Sequence, residues 1–290
     1  MLFPNNLMLR KPFFLKPLVL VLLVLLPAGL MAQTGIEVLE KFIAAAGRIQ
    51  TLSYSQKKDE RINGKIIKEK MHVKMARSPF KLYQKFDYPN TGYEVLYVTG
   101  ANNGKAWVSP GRILPTLSLD PYGALMRENQ HHTIFEVGYD HLVAILKHLK
   151  TAYGPNGDQM VKNEGVYTWN NIKCWKVTLG NPNFGWKPYT VQAGENLVTI
   201  ARKFFLSEHM ILEKNKLKSY DGVKAGQVIQ IPTDYSKTAT FYIDMVNHLP
   251  VLFENWDDLG LYEHFEFYDV KVNPVFPANT FDKTNPDYGF

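Results

Sequence analysis

The sequence of 290 residues is poor in cysteine and has little excess of either charge. With one cysteine, Cys174, the chain cannot form an internal disulfide, which excludes a disulfide-stapled fold. The alternating run IKCWKV favours burial of this thiol in a β-core over a reactive thiol or a pairing between chains. Lys and Arg exceed Asp and Glu by only six, and three of the basic residues precede position 17. The charge therefore predicts no nucleic-acid partner.

Long apolar runs are also scarce, and the one that stands out is residues 18–26. Basic residues precede it and small residues follow it: Arg10, Lys11 and Lys16 before, Pro27, Ala28, Gly29 and Ala32 after. This order is typical of a secretory signal cleaved after Ala32, while an uncleaved anchor is the alternative because Leu30 is bulky for its position. The run is short for a membrane span, and no nearby cysteine offers a lipidation site. We predict a signal over residues 1–32 and a soluble exported protein.

Motifs of hydrolytic enzymes are missing as well. No His-Glu-x-x-His occurs, and the histidines of the central region (His131-His132, His141 and His148) lack the spacing and the carboxylate of a zinc peptidase. Surface or capping positions explain them more simply. The sequence therefore predicts no metal site and no cofactor.

A literal Ser-x-x-Lys at residues 78–81 lies in a strand context with Pro79 inside it, which excludes the helix start that a penicillin-binding active site requires. The acidic pairs Asp59-Glu60 and Asp257-Asp258 are interpreted as solvated polar turns. No catalytic residue is predicted, and the protein is expected not to be an enzyme.

Hydrophobic periodicity predicts the elements of a larger domain. Apolar residues at helical spacing run from Ile36 to Ala46, with Gly47 ending the helix. From Leu52 to Pro110 the period is two, with turns at Asn63-Gly64 and Asn102-Asn103-Gly104. This region is predicted to be an antiparallel sheet.

Later segments extend the pattern. Residues 115–132 are expected to form a long ordered loop, and residues 134–149 a second helix. A hairpin turns at Asn170-Asn171, and strands return after Thr238. The predicted fold class is α+β, with a curved antiparallel half-barrel sheet that is covered by helices and apolar on its concave face.

The residue pattern changes between Gly180 and Lys237. This segment is bordered by two stretches rich in turn-forming residues, GNPNFGWKP and IPTDYSK. The pattern is strand, helix, helix, strand: YTV, a helix capped by Asn196, a helix capped by Ser207, and QVIQI. The stretches YTVQAGENL, LSEHMILEKN and KAGQVIQIP, in this order and spacing, resemble the LysM domain, the lysin motif that binds peptidoglycan and chitin.

The resemblance implies a shallow groove for N-acetylglucosamine units between two loops. Its residues here are Gly194, Glu195, Asn196 and Leu197 in the first loop and Leu217, Lys218, Ser219 and Tyr220 in the second. Glu195-Asn196 stands where the family usually has Asp-Thr or Asp-Ser, and Asn196 remains a good helix cap. The alternative is a module retained for packing or for protein contact.

The module is expected to be an insertion, because its first and last strands should pair and bring entry and exit together. The strands after Thr238 are too few to bury their own surface. We therefore predict one discontinuous domain of residues 33–180 and 237–290, interrupted by a LysM domain of residues 187–233.

The interrupted domain resembles an exported bacterial family of unknown function related to the lipoprotein carriers of the Gram-negative periplasm. The stretches KKDERINGK, KMARSPFKLYQKF, GYEVLYVTGANNGKAWV, SLDPYG and FDKTNPDYGF carry the resemblance. It implies a half-open barrel with an apolar cavity for acyl chains, in the periplasm or cell envelope of a Gram-negative bacterium. The expected partners are peptidoglycan or a related N-acetylglucosamine polymer, and a lipid or lipoprotein. The alternatives are a cell-wall enzyme with an unrecognised site, and a scaffold whose core is filled.

Overall fold

The computed structural model describes Met1 and residues 33–111 and 113–290. The predicted export signal therefore lies outside the described residues. Among those that are described, no helix has both the length and the apolar composition needed to cross a membrane.

Thirteen strands in the described part of the chain form two antiparallel sheets. They are β1 (Thr51–Ile62), β2 (Lys65–Ala76), β3 (Lys81–Tyr88), β4 (Glu94–Val98), β5 (Ala106–Ser109), β6 (Leu117–Leu119), β7 (Val161–Trp169), β8 (Ile172–Gly180), β9 (Trp186–Thr190), β10 (Val228–Pro232), β11 (Thr238–Asp244), β12 (Pro250–Asp257) and β13 (Gly260–Val272). Eleven of them make one large open sheet in the order β6-β5-β4-β3-β2-β1-β13-β12-β11-β8-β7, and β9 pairs only with β10. The predicted fold class, a curved antiparallel sheet with a small separate unit, is confirmed.

The tight turns lie where the sequence predicts them. Asn63 and Gly64 both have positive φ, 50° and 73°, and join β1 to β2 in register over twelve residues each. Two consecutive positive φ angles are the geometry that an Asn-Gly hairpin favours, because its twist matches that of the strands. The turn thereby sets which face of β1 and β2 is buried.

Helices cover one face of the large sheet. They are α1 (Gly35–Gly47), α2 (Asp140–Tyr153) and the single turn α3 (Pro155–Asp158). A capping box between Thr34 and Glu37 starts α1, whose apolar residues Val38, Leu39 and Phe42 are buried in the main core. This core gathers residues from both helices and from strands on both sides of the small sheet in the sequence.

The second helix is shorter than predicted. The expected start at Ile134 is instead a 3-10 turn, Ile134–Glu136, which Thr133 and Glu136 cap reciprocally. Gly138 then has φ 78° and its amide donates to the Tyr54 hydroxyl, so the chain changes direction before α2 begins at Asp140. The predicted loop over residues 115–132 also contains the short strand β6.

The small module, residues 186–232, contains β9, β10 and two further helices, α4 (Leu197–Phe204) and α5 (Glu208–Lys214). As predicted, Asn196 caps α4 and Ser207 caps α5. Its side chains form a core of their own, separate from the main one: Val191, Leu197, Ile200, Ala201, Leu206, Ile211, Ile229 and Ile231.

The connections into and out of the small module lie side by side. The amide of Asn181 donates to the carbonyl of Lys237 (2.8 Å), and the amide of Thr233 donates to the carbonyl of Gly185 (2.9 Å). β8 and β11, the strands on either side of the module in the sequence, are hydrogen-bonded neighbours from Gly180–Thr238 onward. The two connections thus continue the antiparallel pairing of these strands.

Cys174 is buried, as predicted, whereas Glu60 and Asp257, which were predicted to be solvated, are also buried. The thiol is inaccessible on β8. Glu60, interpreted from the sequence as part of a solvated turn, is 1% exposed within β1, and Asp257 is buried beside the Arg61 guanidinium. That interpretation was wrong because alternation along β1 turns every second residue inward, whether or not it is charged.

Candidate functional site

A cavity of about 360 Å³ lies between strands β1–β4 and β13 and the segment from Leu117 to Gly138. Most of its wall is apolar, because inward positions of successive strands carry large hydrophobic side chains. These include Tyr54, Met71, Phe86, Val95, Phe265 and Phe267 from strands, with Leu119, Met126 and Ile134 opposite. A volume of this size is within the range of small-molecule sites.

One end of the cavity is charged. The Lys58 ammonium contacts the carboxylates of Glu69 (2.8 Å) and Glu60 (3.1 Å), and Gln130 bridges Lys58 to Glu69. Burial alone would lower the pKa of Lys58, but the two carboxylates outweigh it and raise the pKa above its usual range. His132 lines the same end. The cavity is therefore amphipathic.

Behind this end, Glu60 on β1 lies directly opposite Glu263 on β13. Both are buried, at 1% and 0% exposure. Two carboxylates facing each other across a strand pair repel, so their pairing needs compensating charge. Lys58 supplies part of it through Glu60, and His132 supplies another part through Glu263.

Glu263 is the centre of a dense hydrogen-bond network. Its Oε1 contacts His131 Nδ1 and His132 Nε2, both at 2.9 Å, and accepts from the Tyr235 hydroxyl at 3.1 Å. Its Oε2 accepts from the Asn255 amide at 2.8 Å. Burial would raise the pKa of Glu263, but the His132 charge and the hydrogen bonds from both histidines hold it well below its usual range.

The protonation of His132 follows from the same contacts. Burial disfavours the charged ring, yet the Glu263 carboxylate, by its charge and its hydrogen bond, outweighs burial and raises the pKa of His132 to about 9. The ring centroid of His141 lies 5.3 Å from that of His132, and the surroundings of His141 shift its pKa in the opposite direction. Burial and the His132 charge lower the pKa of His141 to about 4.

Glu60, His132 and Glu263 offer ligand atoms that all lie within 4.8 Å of one another, so they are the residues that could hold a metal ion. Glu60 Oε1 is buried without a hydrogen-bond partner among the described residues. The sequence argument concerned motif spacing and placed these histidines at surface or capping positions, and that placement was wrong for His131, which is 1% exposed. The carboxylates come from strands that are remote in sequence. The histidine ring and Glu263 are already engaged with each other.

The first loop of the predicted groove is held by local hydrogen bonds. Gly194 has φ 79°, which permits the turn before the helix. Glu195 accepts from the Tyr189 hydroxyl and from Lys203, and so turns toward α4. Asn196 caps α4 and donates to Asp221 at 2.8 Å.

The second loop lies against the first. The amide of Leu197 donates to the carbonyl of Tyr220 at 2.9 Å, while the Leu197 side chain is fully buried in the module core. Leu217 packs at the edge of that core. Lys218 and Ser219 are exposed. The structure thus brings all eight predicted residues to one end of the module, where Gly194, Lys218 and Ser219 are exposed.

This end of the module faces the large sheet. Arg127, in the segment that follows β6, pairs with Glu208 of α5 at 2.7 Å, and its guanidinium stacks on the Tyr220 ring at 3.6 Å. The Ser207 hydroxyl contacts the Tyr262 hydroxyl at 2.7 Å. These contacts fix the small module against β13 and the segment after β6.

Between the two lies a cleft of about 600 Å³. The small module contributes Asn196, Thr199, Arg202, Lys218, Ser219 and Tyr220, and the other wall contains Ile62, Asn63, Tyr122, Arg127, Glu128 and Asn129. Of the predicted groove residues, Asn196, Lys218, Ser219 and Tyr220 line this cleft, whereas sequence reasoning missed Thr199, Arg202 and all the residues of the other wall. No local motif marks them, since their role depends on how the two units dock.

Comparison with solved structures returns matches at low similarity. The Mycobacterium tuberculosis lipoprotein LppX is 12% identical, with 83% of this chain and 97% of that chain covered and a TM-score of 0.39. A putative outer membrane lipoprotein-sorting protein domain from Vibrio parahaemolyticus is 10% identical (86% and 96% covered, TM-score 0.34). A LolA superfamily protein from Nitrosomonas europaea is 10% identical (86% and 98% covered, TM-score 0.31). Structures this distant do not bear on function.

No curated protein matches the chain. The family models do match: one described as a protein of unknown function, DUF1571, covers residues 50–185 and 213–290, and the LysM domain covers residues 189–232. The first match spans most of the chain and includes strands on both sides of the small module. The chain therefore belongs to the DUF1571 family, and its small module is a LysM domain.

Proposed function

We propose that the protein is a non-enzymatic cell-envelope protein that binds peptidoglycan, or a related N-acetylglucosamine polymer, through the groove of its LysM domain. The observation that carries this proposal is the LysM match over residues 189–232. It is supported by the exposed Lys218 and Ser219 beside backbone loops joined at Leu197 and Tyr220. Exposed loop amides and short polar side chains suit the acetamido groups and hydroxyls of such a glycan.

A second ligand is proposed for the cavity of the large sheet, namely the acyl chain of a lipid or lipoprotein. The apolar wall supports it, because each buried methylene contributes about 0.8 kcal/mol. A chain of about ten carbons would gain roughly 8 kcal/mol before the costs of immobilisation. The charged end at Lys58 and Glu69 gives the polar group of such a ligand a place to bind.

The domain organisation follows the same proposal. Residues 33–180 and 237–290 form one domain, interrupted by the LysM domain of residues 187–233, and residues 1–32 direct export to the periplasm or envelope of a Gram-negative bacterium. The pairing of β8 with β11 supports the first part, since these strands flank the module in sequence and are neighbours in the sheet.

The alternative of a cell-wall enzyme is supported by one cluster beside the cavity, the buried Glu60 and Glu263 with the partly exposed His132. Release of soluble fragments from purified peptidoglycan by the wild type, lost in Glu263→Gln, would establish it. We expect no fragments. A filled scaffold, the remaining alternative, would leave no space inside the sheet, whereas the cavity holds about 360 Å³.

Glycan binding is tested by co-sedimentation with purified peptidoglycan. We expect Lys218→Ala combined with Ser219→Ala to lower the bound fraction severalfold, because both side chains are exposed at the groove. Lys224→Ala is the matched control, an exposed lysine of the same module outside the cleft. Equal retention of all three proteins would count against the groove.

Acyl-chain binding is tested by solvent extraction of the purified protein and mass spectrometry of the extract. Met126→Trp places a larger ring in the cavity wall and should abolish the extracted lipid. Leu259→Trp, at an exposed turn, is the control and should retain it. A wild-type extract without lipid, after expression in a Gram-negative host, would contradict this part of the proposal.

A further inference from the structure

Most of the residues opposite the LysM groove belong to the 120–130 loop, which connects β6 to the segment before α2, and Ile62 and Asn63 of the β1–β2 turn complete this wall. We infer that the glycan is held between two walls, the LysM groove on one side and this loop on the other, with Tyr122 and Asn129 as residues that determine specificity. The inference rests on the proposed glycan binding and adds the second wall. Its starting point is the cleft of about 600 Å³ that both units line. Clefts of this size at domain boundaries are common positions for ligands.

The width of the cleft is fixed by contacts at its base. Arg127 pairs with Glu208 and stacks on Tyr220, so one side chain of the 120–130 loop holds both α5 and the second groove loop. The backbone amide of Asn63, in the β1–β2 turn, donates to the Glu213 carboxylate at the other end of α5. A ligand site whose walls are already placed loses less conformational entropy on binding.

The polar groups in the cleft suit a neutral acetylated sugar. Three cations line the cleft, Arg127, Arg202 and Lys218, against the two carboxylates of Glu128 and Asp221. The charge of Arg127 is paired with Glu208 just outside the lining, so three carboxylates face the three cations. This balance does not favour a polyanion. Amide side chains stand on both walls: Asn63 and Asn129 on one, Asn196 on the other. Amides both donate and accept, as hydroxyl and acetamido groups require.

Tyr122 supplies an apolar surface in this polar cleft. The residue is 42% exposed, and its hydroxyl accepts from Arg202 of α4 at 2.8 Å. The Arg202 guanidinium lies 5.0 Å from the Tyr122 ring centroid, and the Phe135 ring centroid lies 5.2 Å from it. The ring is therefore held in place while part of it stays open to the cleft. An aromatic ring fixed in this way is suited to pack on the C–H face of a sugar.

Arg127 carries a second indication. Its Nε and Nη1 are buried without a hydrogen-bond partner among the described residues, although the residue lines the cleft. Unpaired buried donors are costly, and an oxygen of a bound sugar or of an ordered water would satisfy them. We assign Arg127 a positioning role, because it acts on the ligand mainly through Tyr220.

The inference is tested by calorimetric titration of the full-length protein with the N-acetylglucosamine tetramer. Tyr122→Ala should weaken binding about tenfold, and Tyr122→Phe, which keeps the ring, should stay within about threefold of the wild type. Asn129→Asp keeps the shape and tolerates the positive φ of 57° while losing the amide donor, and should weaken binding about threefold. Lys218→Ala reports on the LysM wall, and Leu259→Ala on an exposed turn outside the cleft.

The outcomes separate the two proposals. If Tyr122→Ala and Asn129→Asp bind like the wild type while Lys218→Ala binds more weakly, the second wall is wrong and the LysM groove stands. If the wild type does not bind the tetramer, the glycan function itself is overturned. Unchanged melting temperatures of the variants show that a loss of affinity is not a loss of folding, and Asn129→Asp serves where Tyr122→Ala is unstable.

Discussion

The cavity of the large sheet and the cleft beside the LysM domain differ in which parts of the chain form their walls. The cavity of the large sheet is lined by alternate residues of neighbouring strands, is mostly apolar, and ends in the charges around Lys58 and Glu263. The cleft beside the LysM domain is lined by loops of two separately packed units, and most of its lining residues carry polar or charged side chains. The two proposed ligand sites therefore differ in origin, since strand register sets the first and docking sets the second.

The stability of the large sheet around the cavity should depend strongly on the buried charges. The largest loss in the free energy of unfolding is expected for Glu263→Gln. The change leaves His131 and His132 buried without the carboxylate that both contact. Removing one partner of a buried ionic network costs about 3–5 kcal/mol. Urea unfolding should show this loss in the free energy of unfolding.

Glu266→Gln is the matched control for that measurement. Glu266 lies on the same strand, where it contacts the partly exposed Lys57 and His264. Ion pairs near the surface contribute about 1 kcal/mol or less. Similar losses in the free energy of unfolding for both variants would show that the buried network stabilises the protein no more than a surface ion pair does.

The pH dependence of stability tests the same network. The folded pKa of His132, about 9, lies above the usual value of 6.5 for a histidine. Its contribution is therefore complete below pH 6.5 and is lost as the pH rises through 9, for a total of about 3 kcal/mol. Unfolding at a series of pH values should show this alkaline decline in the wild type and a flatter profile in His132→Gln.

His248→Asn provides the comparison for the pH series. His248 lies in the turn between β11 and β12 with φ 59°, a conformation that Asn tolerates. Its profile should follow the wild type. An alkaline decline that persists unchanged in His132→Gln would assign it to another group.

The cleft should depend on docking contacts, so Arg127→Ala tests the other side of the comparison. The variant leaves Glu208, 15% exposed, without its cation and removes the stack on Tyr220. We expect a loss of about 2 kcal/mol, between the values for surface and buried pairs. Hydrogen exchange should show faster opening of α5, by a factor of about 30, with the strands of the large sheet unchanged.

Lys216→Ala, on an exposed residue just after α5, is the control for that experiment. It should leave the exchange rates of α5 within about twofold of the wild type, as expected for a surface change. If Arg127→Ala also leaves them unchanged, the module is held by other contacts, and the fixed width of the cleft loses its support.

The smallest effect is expected inside the LysM domain, at Asn196. Asn196→Ala removes the cap of α4 and the contact with Asp221, at a cost of about 1 kcal/mol. Asn196→Ser keeps a capping oxygen and should lose only a few tenths. Exchange rates of the α4 amides measure both variants, and equal losses would mean that the Asp221 contact, not the cap, carries the effect.

Local signals in the sequence predicted most of the fold. The Asn63-Gly64 turn, the helix that ends at Gly47 and the caps Asn196 and Ser207 each depend on neighbouring residues, and the structure has all of them. The start of α2 was misplaced because hydrophobic spacing continues through Gly138, where the backbone turns. Period alone does not show such a break.

The charged cluster could not be predicted in the same way. Glu60 and Glu263 meet because β1 pairs with β13, about 200 positions later in the chain, in a register that no local pattern sets. His131 and His132 arrive from a loop. One signal was available in the sequence. Lys58 and Glu60 lie an even number of residues after Tyr54 in β1, so all three side chains are expected on the same, inward face of the strand.

The paired connections at Asn181–Lys237 and Gly185–Thr233 also determine how the molecule bears force. A force applied to the LysM domain is divided between its two connecting segments, which enter the large sheet at the neighbouring strands β8 and β11. Each of these strands is bonded on its far side to another, β7 or β12. Because the bonds run across the strands, a lengthwise pull loads many of them together in shear. Tension on the module is thus spread across the sheet and does not concentrate at a single linker.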